Sequence, residues 1–559
     1  MSGVRLGPAP GWPQGGRRGA FIDCRREGIG NHREKIMLIT EMLARNARLY
    51  PDEVALVERD PAQKSRREIS WRTFDEQANR VATALLQRGV GKGDRVVHLL
   101  MNCLEWLPIY FGILRTGALA VPLNFRFDAA AIERCVQVTE AGTFFFGPEF
   151  VDRVNAVRER LDTVKSYVFV GPDEVRPDYA EDYGAFLASG SALDPRVDLN
   201  TLDDAALYFT SGTTGSPKAT LLTHRNLEFA CYAENSHHHQ THADNFLCIP
   251  PLYHTGAKMH WFGNLIVGAR AVVLRGTEPR WILEAVSEEK VTIVWLLVPW
   301  ALDILFAVEN RDVKLSHYNL RQWRLMHIGA QPVPPSLVKQ WKKVFPHHQY
   351  DTNYGLTECT GPGCVHLGVE NMHKVGAIGV PGFDWEIKIV SSGREPVAKG
   401  EIGELAVKGP GVMKEYYRNP EATREVLDDG WLFTGDMARQ DEDGFIWLVD
   451  RKKDVIITGG ENIYPVEIED FLQAHPKIRD VAVIGLPSAR LGELATAVVQ
   501  VKTGQELTER EVMDFCEGLP RYKRPRRIIF AAVPRNPTGK IEKPLLRKRY
   551  AGTEQSFSL

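Results

Sequence analysis

Apolar positions along this chain recur with two periods. In SWRTFDEQANRVATALLQRGV, residues 70–90, they return every three or four places, which gives a helix one apolar face, and Ser70 stands where an N-cap belongs. MLITEMLARNARLY from Met37 and NCLEWLPIYFGILRTGA from Asn102 also read as helices. Between and beyond them lie short runs rich in β-branched and aromatic residues: DRVVHLL, LAVPLN, FFFGP, SYVFVG, AVVLRG, VTIVWLLVP and WRLMHIGA. This alternation of strand and helix predicts parallel sheets covered by helices. Near residue 385 the texture changes, and WEIKIV, GELAVKG and GFIWLVD read as short strands of a compact β subdomain. After Asp450 the charged run RKKD leads into a further βα pattern. The predicted fold class is α/β: a large N-terminal domain of parallel, helix-covered sheets plus a β subdomain, residues 37–450, and a small mobile α+β C-terminal domain, residues 451–559.

Length agrees with two domains, since 559 residues exceed what one core holds. A formal net charge of -2 offers no overall attraction to nucleic acid or anionic lipid. The eight cysteines form no CxxC pair, the usage of a cytoplasmic protein with reduced thiols. Cys359 and Cys364 lie close together, but no second ligand pair follows, so they predict no zinc site. The longest apolar run, residues 291–308, is broken by Pro299 and Asp303 and reads as a strand followed by a helix, not as an integral membrane segment. Residues 1–36 are rich in Gly, Pro and Arg and read as a disordered extension, or as the result of an upstream start codon with the natural start at Met37. They lack the apolar stretch of a signal peptide, and Asp23, Glu27 and Glu34 break the acid-poor pattern of a transit peptide. HHHQTH, 237–242, reads as a polar loop, because three adjacent histidines do not easily share one ion.

The densest chemistry lies in LYFTSGTTGSPKAT, 207–220. Tyr208 and Phe209 read as the end of a buried strand. The glycines let the backbone curl so that several N–H groups face one anion, the hydroxyls add donors, and Lys218 adds a charge. The run is a phosphate cradle but not a Walker motif, where lysine follows glycine directly. Pro217 stiffens the loop and pushes Ser216 towards an extended conformation, which sets Lys218 on a separate arm.

Four more motifs follow in order: YGLTE at 354–358, LFTGD at 432–436, DRKKDVIITGGENIYPVEIE at 450–469 and PTGKIEK at 537–543. With the cradle they resemble the adenylate-forming enzymes, a family of acyl-CoA synthetases, peptide-synthetase adenylation domains and luciferases, over nearly the whole chain. The resemblance implies a two-step ligase that uses ATP, Mg²⁺ and coenzyme A. A carboxylate attacks the α-phosphorus of ATP, and a thiol then attacks the acyl-adenylate. By the same resemblance, Thr210, Ser211, Gly212, Thr213, Thr214 and Lys218 hold the β- and γ-phosphates, and Glu358 with Thr210 holds the metal. Thr357 contacts the α-phosphate, Asn353, Tyr354 and Gly355 belong to the nucleotide motif, and Asp436 and Arg451 reach the ribose. Gly329, Ala330 and Gln331, in HIGAQP, form the adenine-pocket strand, with Gln331 departing from the usual Ala or Glu. Lys540 is the catalytic lysine and Lys453 the hinge, while Gly459 and Gly460 border the pantetheine tunnel. Arg521 and Lys523 are weaker candidates for CoA phosphates. Lys543, Arg547, Lys548 and Arg549 read as surface charges.

PPLYHTGA, 250–257, resembles the P-x-x-H segment of acyl- and aryl-CoA synthetases and lacks the aspartate of amino-acid-activating relatives. It places His254 beside the carboxylate. Trp261, Trp295 and Trp300 fall in segments that line the acyl pocket in relatives, and Lys258 reads as a surface lysine whose stem snorkels. The expected partners are a small carboxylic acid, taken first as a medium- or long-chain fatty acid, and CoA, with no nucleic acid. An aryl-CoA ligase and an acyl-AMP ligase that loads a carrier protein remain alternatives, and a homodimer is left open.

Overall fold

The computed structural model describes residues 37–210, 218–459, 461–488, 490–535 and 540–551, without the side chains of Met259 and Pro362. The predicted strands and helices form. Helix Trp71–Gln87 opens on Ser70, whose hydroxyl accepts the Thr73 N–H. The run 291–308 divides into strand Ile293–Leu297 and helix Val298–Glu309, and no helix among the described residues is long and apolar enough to cross a membrane.

Two large sheets dominate the described residues. One runs in the order Gln349–Asp351, Leu325–Gly329, Ile293–Leu297, Asn245–Cys248, Arg270–Leu274, Val54–Asp60 and Ser65–Ser70, parallel except for its last pair. The other runs Glu415–Tyr416, Lys218–Thr223, Asp204–Thr210, Leu119–Pro122, Arg95–Leu99, Thr143–Phe146, Ser166–Phe169 and Glu181–Asp182. Its pairings from Asp204–Thr210 to Glu181–Asp182 are parallel as predicted, but Lys218–Thr223 and Glu415–Tyr416 add antiparallel to one edge. The seven-residue connection 211–217 is too short for the crossover that parallel neighbours need.

Strand alternation sends successive residues to opposite cores. Val96 and Val273 enter the large core shared by both sheets, while Val97 and Val272 enter the outer cores. Helix Trp106–Arg115 lies in the shared core with all its residues buried, which accounts for its apolar circumference. Its last residue, Arg115, bonds Asn79 Oδ1 at 2.6 Å, Asp75 Oδ1 at 2.5 Å and the Thr40 carbonyl at 3.1 Å, so one guanidinium ties three helices.

The β subdomain is an antiparallel sheet of Glu386–Val390, Gly403–Lys408, Trp431–Gln440 and Leu427–Asp428, with Ile446–Arg451 on the other part of the long strand. Beyond it, strands Ile456–Thr458, Glu461–Ile463, Gly492–Val501, Ile478–Ser488 and Arg527–Phe530 form a small sheet. Helices Pro465–Gln473 and Lys543–Tyr550 pack on that sheet, an α+β unit. Lys543 is not a surface charge: it is buried and pairs with Glu469 at 2.9 Å, and Arg547 pairs with Asp454 at 2.7 Å. The unit needs these basic residues to neutralise carboxylates on its inner side. The seven described cysteines are free thiols.

Arg115→Met leaves Asp75 and the Thr40 carbonyl without their cation, and denaturant unfolding should show a loss of about 3 kcal/mol. Asp75→Asn in the same chain should recover part of it.

Candidate active site

The hairpin Asp204–Thr210 and Lys218–Thr223 pairs Thr210 with Lys218 at its connected end. The cradle residues Ser211, Gly212, Thr213 and Thr214 lie between them, outside the described residues. Lys218 begins the second arm, as Pro217 predicts, and its Nζ stands 4.9 Å over the ring of Tyr416. Tyr416 is held there because Glu415–Tyr416 adds to the same sheet edge, opposite Thr220 and Leu221. Its hydroxyl donates to Glu358 Oε1 at 2.8 Å. Tyr416 therefore connects the cradle lysine to the proposed metal ligand. The sequence reading missed it, since nothing in EYYRNP marks an active-site residue.

Glu358 lies in the single turn Thr357–Cys359 that follows strand Asn353–Leu356, and the Met413 N–H anchors its carbonyl at 2.7 Å. A carboxylate that accepts one hydroxyl still has lone pairs for a cation, so the chemistry of this half-buried group fits a magnesium ion that also binds phosphate oxygens.

Asp436 and Arg451 are opposite residues of strands Trp431–Gln440 and Ile446–Arg451. Their register makes the ion pair, Arg451 Nε to Asp436 Oδ1 at 2.7 Å. Tyr354 donates its hydroxyl to Asp436 Oδ2 at 2.5 Å, so YGLTE, LFTGD and DRKKD meet at one carboxylate. The negative charge of Asp436 raises the Arg451 guanidinium above its usual pKa.

Lys540 remains open to solvent but is crowded by protein, as in a cleft. That crowding, with Arg451 and Lys453 adding positive charge against the opposing carboxylates of Asp436 and Glu358, lowers its pKa to about 8. His254 is half-buried, and desolvation, with Lys540 and Lys258 adding positive charge, holds it neutral with a pKa of about 3. Its Nε2 has no partner among the described residues. The neutral imidazole and the Arg451 guanidinium thus each lie near enough to the Lys540 ammonium to form with it a set suited to an anionic reaction centre.

Gly329 ends strand Leu325–Gly329, and Ala330 follows in the left-handed region at φ 67°. Gln331 turns its amide oxygen to Arg535 Nη1 at 2.6 Å, and Arg535 also pairs with Asp480 at 2.7 Å. Lys453 stands on the exposed turn after Arg451, near enough to Lys540 to affect its charge. Gly459 is not brought to this group by any described contact: its N–H bonds the Leu491 carbonyl at 2.8 Å at a hairpin turn. Gly460 lies outside the described residues. Lys523 pairs with Glu467 at 2.7 Å.

Two readings are overturned. Lys258 does not snorkel: it is fully buried, donates to the carbonyls of Leu252 and His254 at 3.1 Å each, and lies 4.3 Å over the Tyr208 ring. It holds the PPLYH segment in shape. HHHQTH is not a polar loop at its start, because His237 and His238 complete helix His224–His238. His238 is buried between two carboxylates, with Nδ1 3.1 Å from Glu234 and Nε2 2.9 Å from Asp351. Burial works against its charge, but the two carboxylates outweigh it and raise the pKa to about 9. Glu234 also accepts His260 Nδ1 at 2.9 Å and Asn353 Nδ2 at 3.3 Å. These partners come from distant segments, which the local pattern does not reveal.

Residues 43–417 match the family model for AMP-binding enzyme, and residues 467–540 match the AMP-binding enzyme C-terminal domain. The chain is 32% identical to the long-chain-fatty-acid–CoA ligase FadD13 of Mycobacterium tuberculosis, with 92% of this chain and 98% of that protein covered. It is also 32% identical to a feruloyl-CoA synthase of an Amycolatopsis species, covering 90% and 98%. The crystal structure of the anthranilate CoA ligase AuaEII with anthranoyl-AMP superposes with a TM-score of 0.84 at 26% identity, covering 92% and 97%. The motifs, the fold that gathers them and these matches lead to one conclusion: the chain belongs to the AMP-binding, adenylate-forming enzyme family, acyl-CoA ligase type.

Proposed function

We propose that this protein joins a carboxylic acid to coenzyme A in two steps at one site. The acid oxygen bonds to the α-phosphorus of ATP and the bond to pyrophosphate breaks. The CoA sulfur then bonds to the acyl carbon, the bond to AMP breaks, and the thiol proton leaves. The supporting observation is the convergence of Lys218, Glu358, Asp436, Arg451 and Lys540 from separate segments. In this reading the cradle with Thr210 and Lys218 binds the outer phosphates, Tyr354 and Asp436 orient the ribose, and Lys540 offsets negative charge between acid and α-phosphate. A magnesium ion on Glu358 and Thr210 would supply further positive charge to the phosphate oxygens.

The reading divides the chain at residue 450 and lets residues 451–559 rotate about Lys453 between the two steps. The Gln331–Arg535 contact belongs to the arrangement that brings Lys540 to the site. Free CoA as acceptor is favoured by the CoA-ligase relatives, and its consumption separates this reading from carrier-protein loading. A fatty acid is supported by the FadD13 relative. An aromatic acid is supported by the feruloyl and anthranilate relatives, and one structural feature favours it: the rings of Trp295 and His327 pack beside His260 in the segments that flank Gly329.

Three measurements test the division of roles. Lys540→Ala should abolish acid-dependent pyrophosphate release and leave thioester formation from supplied acyl-adenylate nearly intact; equal loss of both contradicts the reading. Because the ammonium form of Lys540 is the active one, kcat/KM for ATP in the first step should fall as pH rises through about 8. Lys540→Arg, if active, should carry that limb to higher pH, since guanidinium does not titrate there. Tyr416→Phe removes the hydroxyl on Glu358, and magnesium titrations of pyrophosphate release should show roughly tenfold weaker apparent metal affinity.

A further inference from the structure

We propose that the acid is aromatic and carries a neutral hydroxyl or amino group at its far end, which His260, His327 and Trp295 recognise. This rests on the reading above, with the carboxylate end at His254 and Lys540.

The three side chains form a buried polar wall whose hydrogen-bonding capacity is unmet. His260 gives Nδ1–H to Glu234 at 2.9 Å, so its Nε2 is an acceptor, and it has no partner among the described residues. Both ring nitrogens of His327 and the Trp295 indole N–H are likewise buried without partners among those residues. Burial keeps His260 and His327 neutral, so each has one donor and one acceptor nitrogen. The wall therefore offers the indole N–H as donor, His260 Nε2 as acceptor, and both kinds on His327. A hydroxyl or amino group matches that set, because each donates and accepts.

The wall meets the site at Gly329. Trp295 and His327 are register partners on neighbouring parallel strands, and Gly329 follows two places on, on the same face. A Cβ on Gly329 would lie at ordinary contact distance from the Asn353 carbonyl, 3.7 Å, and from Asn353 Oδ1 and the Trp295 indole nitrogen, 3.9 Å each, so the bare glycine brings the indole N–H up against the end of this strand. His254 caps helix Thr255–Val267, and His260 lies six positions along, which is about 9 Å of axial rise. A pocket only as deep as that rise would suit an aryl acid with a short spacer and not an extended long-chain fatty acid.

Charge selects further. Glu234 and Asp351 share one imidazolium, His238, so the network behind the wall carries a net negative charge. A second carboxylate on the substrate would be repelled. An alkyl terminus would leave the four polar atoms of the wall buried and unmatched. Glu234 is a positioning residue here, since it fixes the ring and tautomer of His260.

The test offers the purified full-length protein, with ATP and magnesium, five acids: 4-hydroxycinnamate, 4-aminocinnamate, cinnamate, 4-carboxycinnamate and an alkanoate of matching length. Pyrophosphate release should give kcat/KM for the hydroxy and amino acids roughly ten- to a hundredfold above cinnamate, with the dianion and the alkanoate below it. Trp295→Phe keeps a ring and removes the N–H, so it should lower kcat/KM for 4-hydroxycinnamate, through KM, about tenfold more than for cinnamate. Equal or better turnover of cinnamate or the alkanoate by the unaltered protein overturns the inference, and that ranking decides even if the variant fails to fold. A Trp295→Phe effect equal for all acids overturns it as well. Pyrophosphate release from none of these, nor from long-chain fatty acids, overturns the underlying reading and this one with it. Ligand atoms of Glu234, His238 and His260 lie within 4.8 Å of one another, as do those of His238, Asp351 and His366. A stoichiometric transition metal in the purified protein, lost in Glu234→Gln, would show that the network serves a metal and overturn the inference.

Discussion

The negative charge of Asp436 is the fixed point of this site. Tyr354 and Arg451 approach it from different strands, and both bonds follow from where the strands lie. Strand pairing sets Arg451 opposite Asp436, while the tyrosine arrives from the short sheet that follows the large parallel one. Displacing the carboxylate would release the turn after strand Asn353–Leu356, the strand Trp431–Gln440 and the chain leading into the C-terminal unit together. Lys540 depends on the same point, because its low pKa comes from crowding and from Arg451, opposed by Asp436 itself.

A second network constrains the other end of the site. Glu234, Asp351 and His238 lie in the shared core, where an unmatched charge is costly. Their arrangement answers that cost almost fully. His238 bridges the two carboxylates, and Asp351 Oδ1 takes the N–H groups of Thr352 and Gly368 at 2.8 Å each. Capacity is left unmet at His260, His327 and Trp295, and the Trp295 indole nitrogen of that group lies beside Gly329. Lys258 shows the same logic in miniature. It is buried not as a charge for substrate but as a brace, with its amine on two carbonyls and three aromatic rings around it.

Much of the scaffold was readable along the chain because local periodicity reports burial on one face. Ser70 capped the predicted helix, and Pro299 marked the change from strand to helix. The failures share a cause. His238, Lys258 and Lys543 read as surface groups because their own neighbours in sequence are polar or sit at an element's end. Each is buried by partners at a distance: Asp351 for His238, the Tyr208 ring for Lys258, Glu469 for Lys543.

Sequence alone determined the α/β class and the order of the five motifs, since backbone curl, hydrophobic period and turn chemistry act over a few residues. Only the tertiary structure decided that Tyr416 joins Lys218 to Glu358, that Gln331 meets Arg535, and that the wall beside Gly329 is made of imidazole and indole. Those are contacts between segments many residues apart, set by strand order and register. No local pattern carries that information, because the energy that selects such pairs arises only when the chain has already packed.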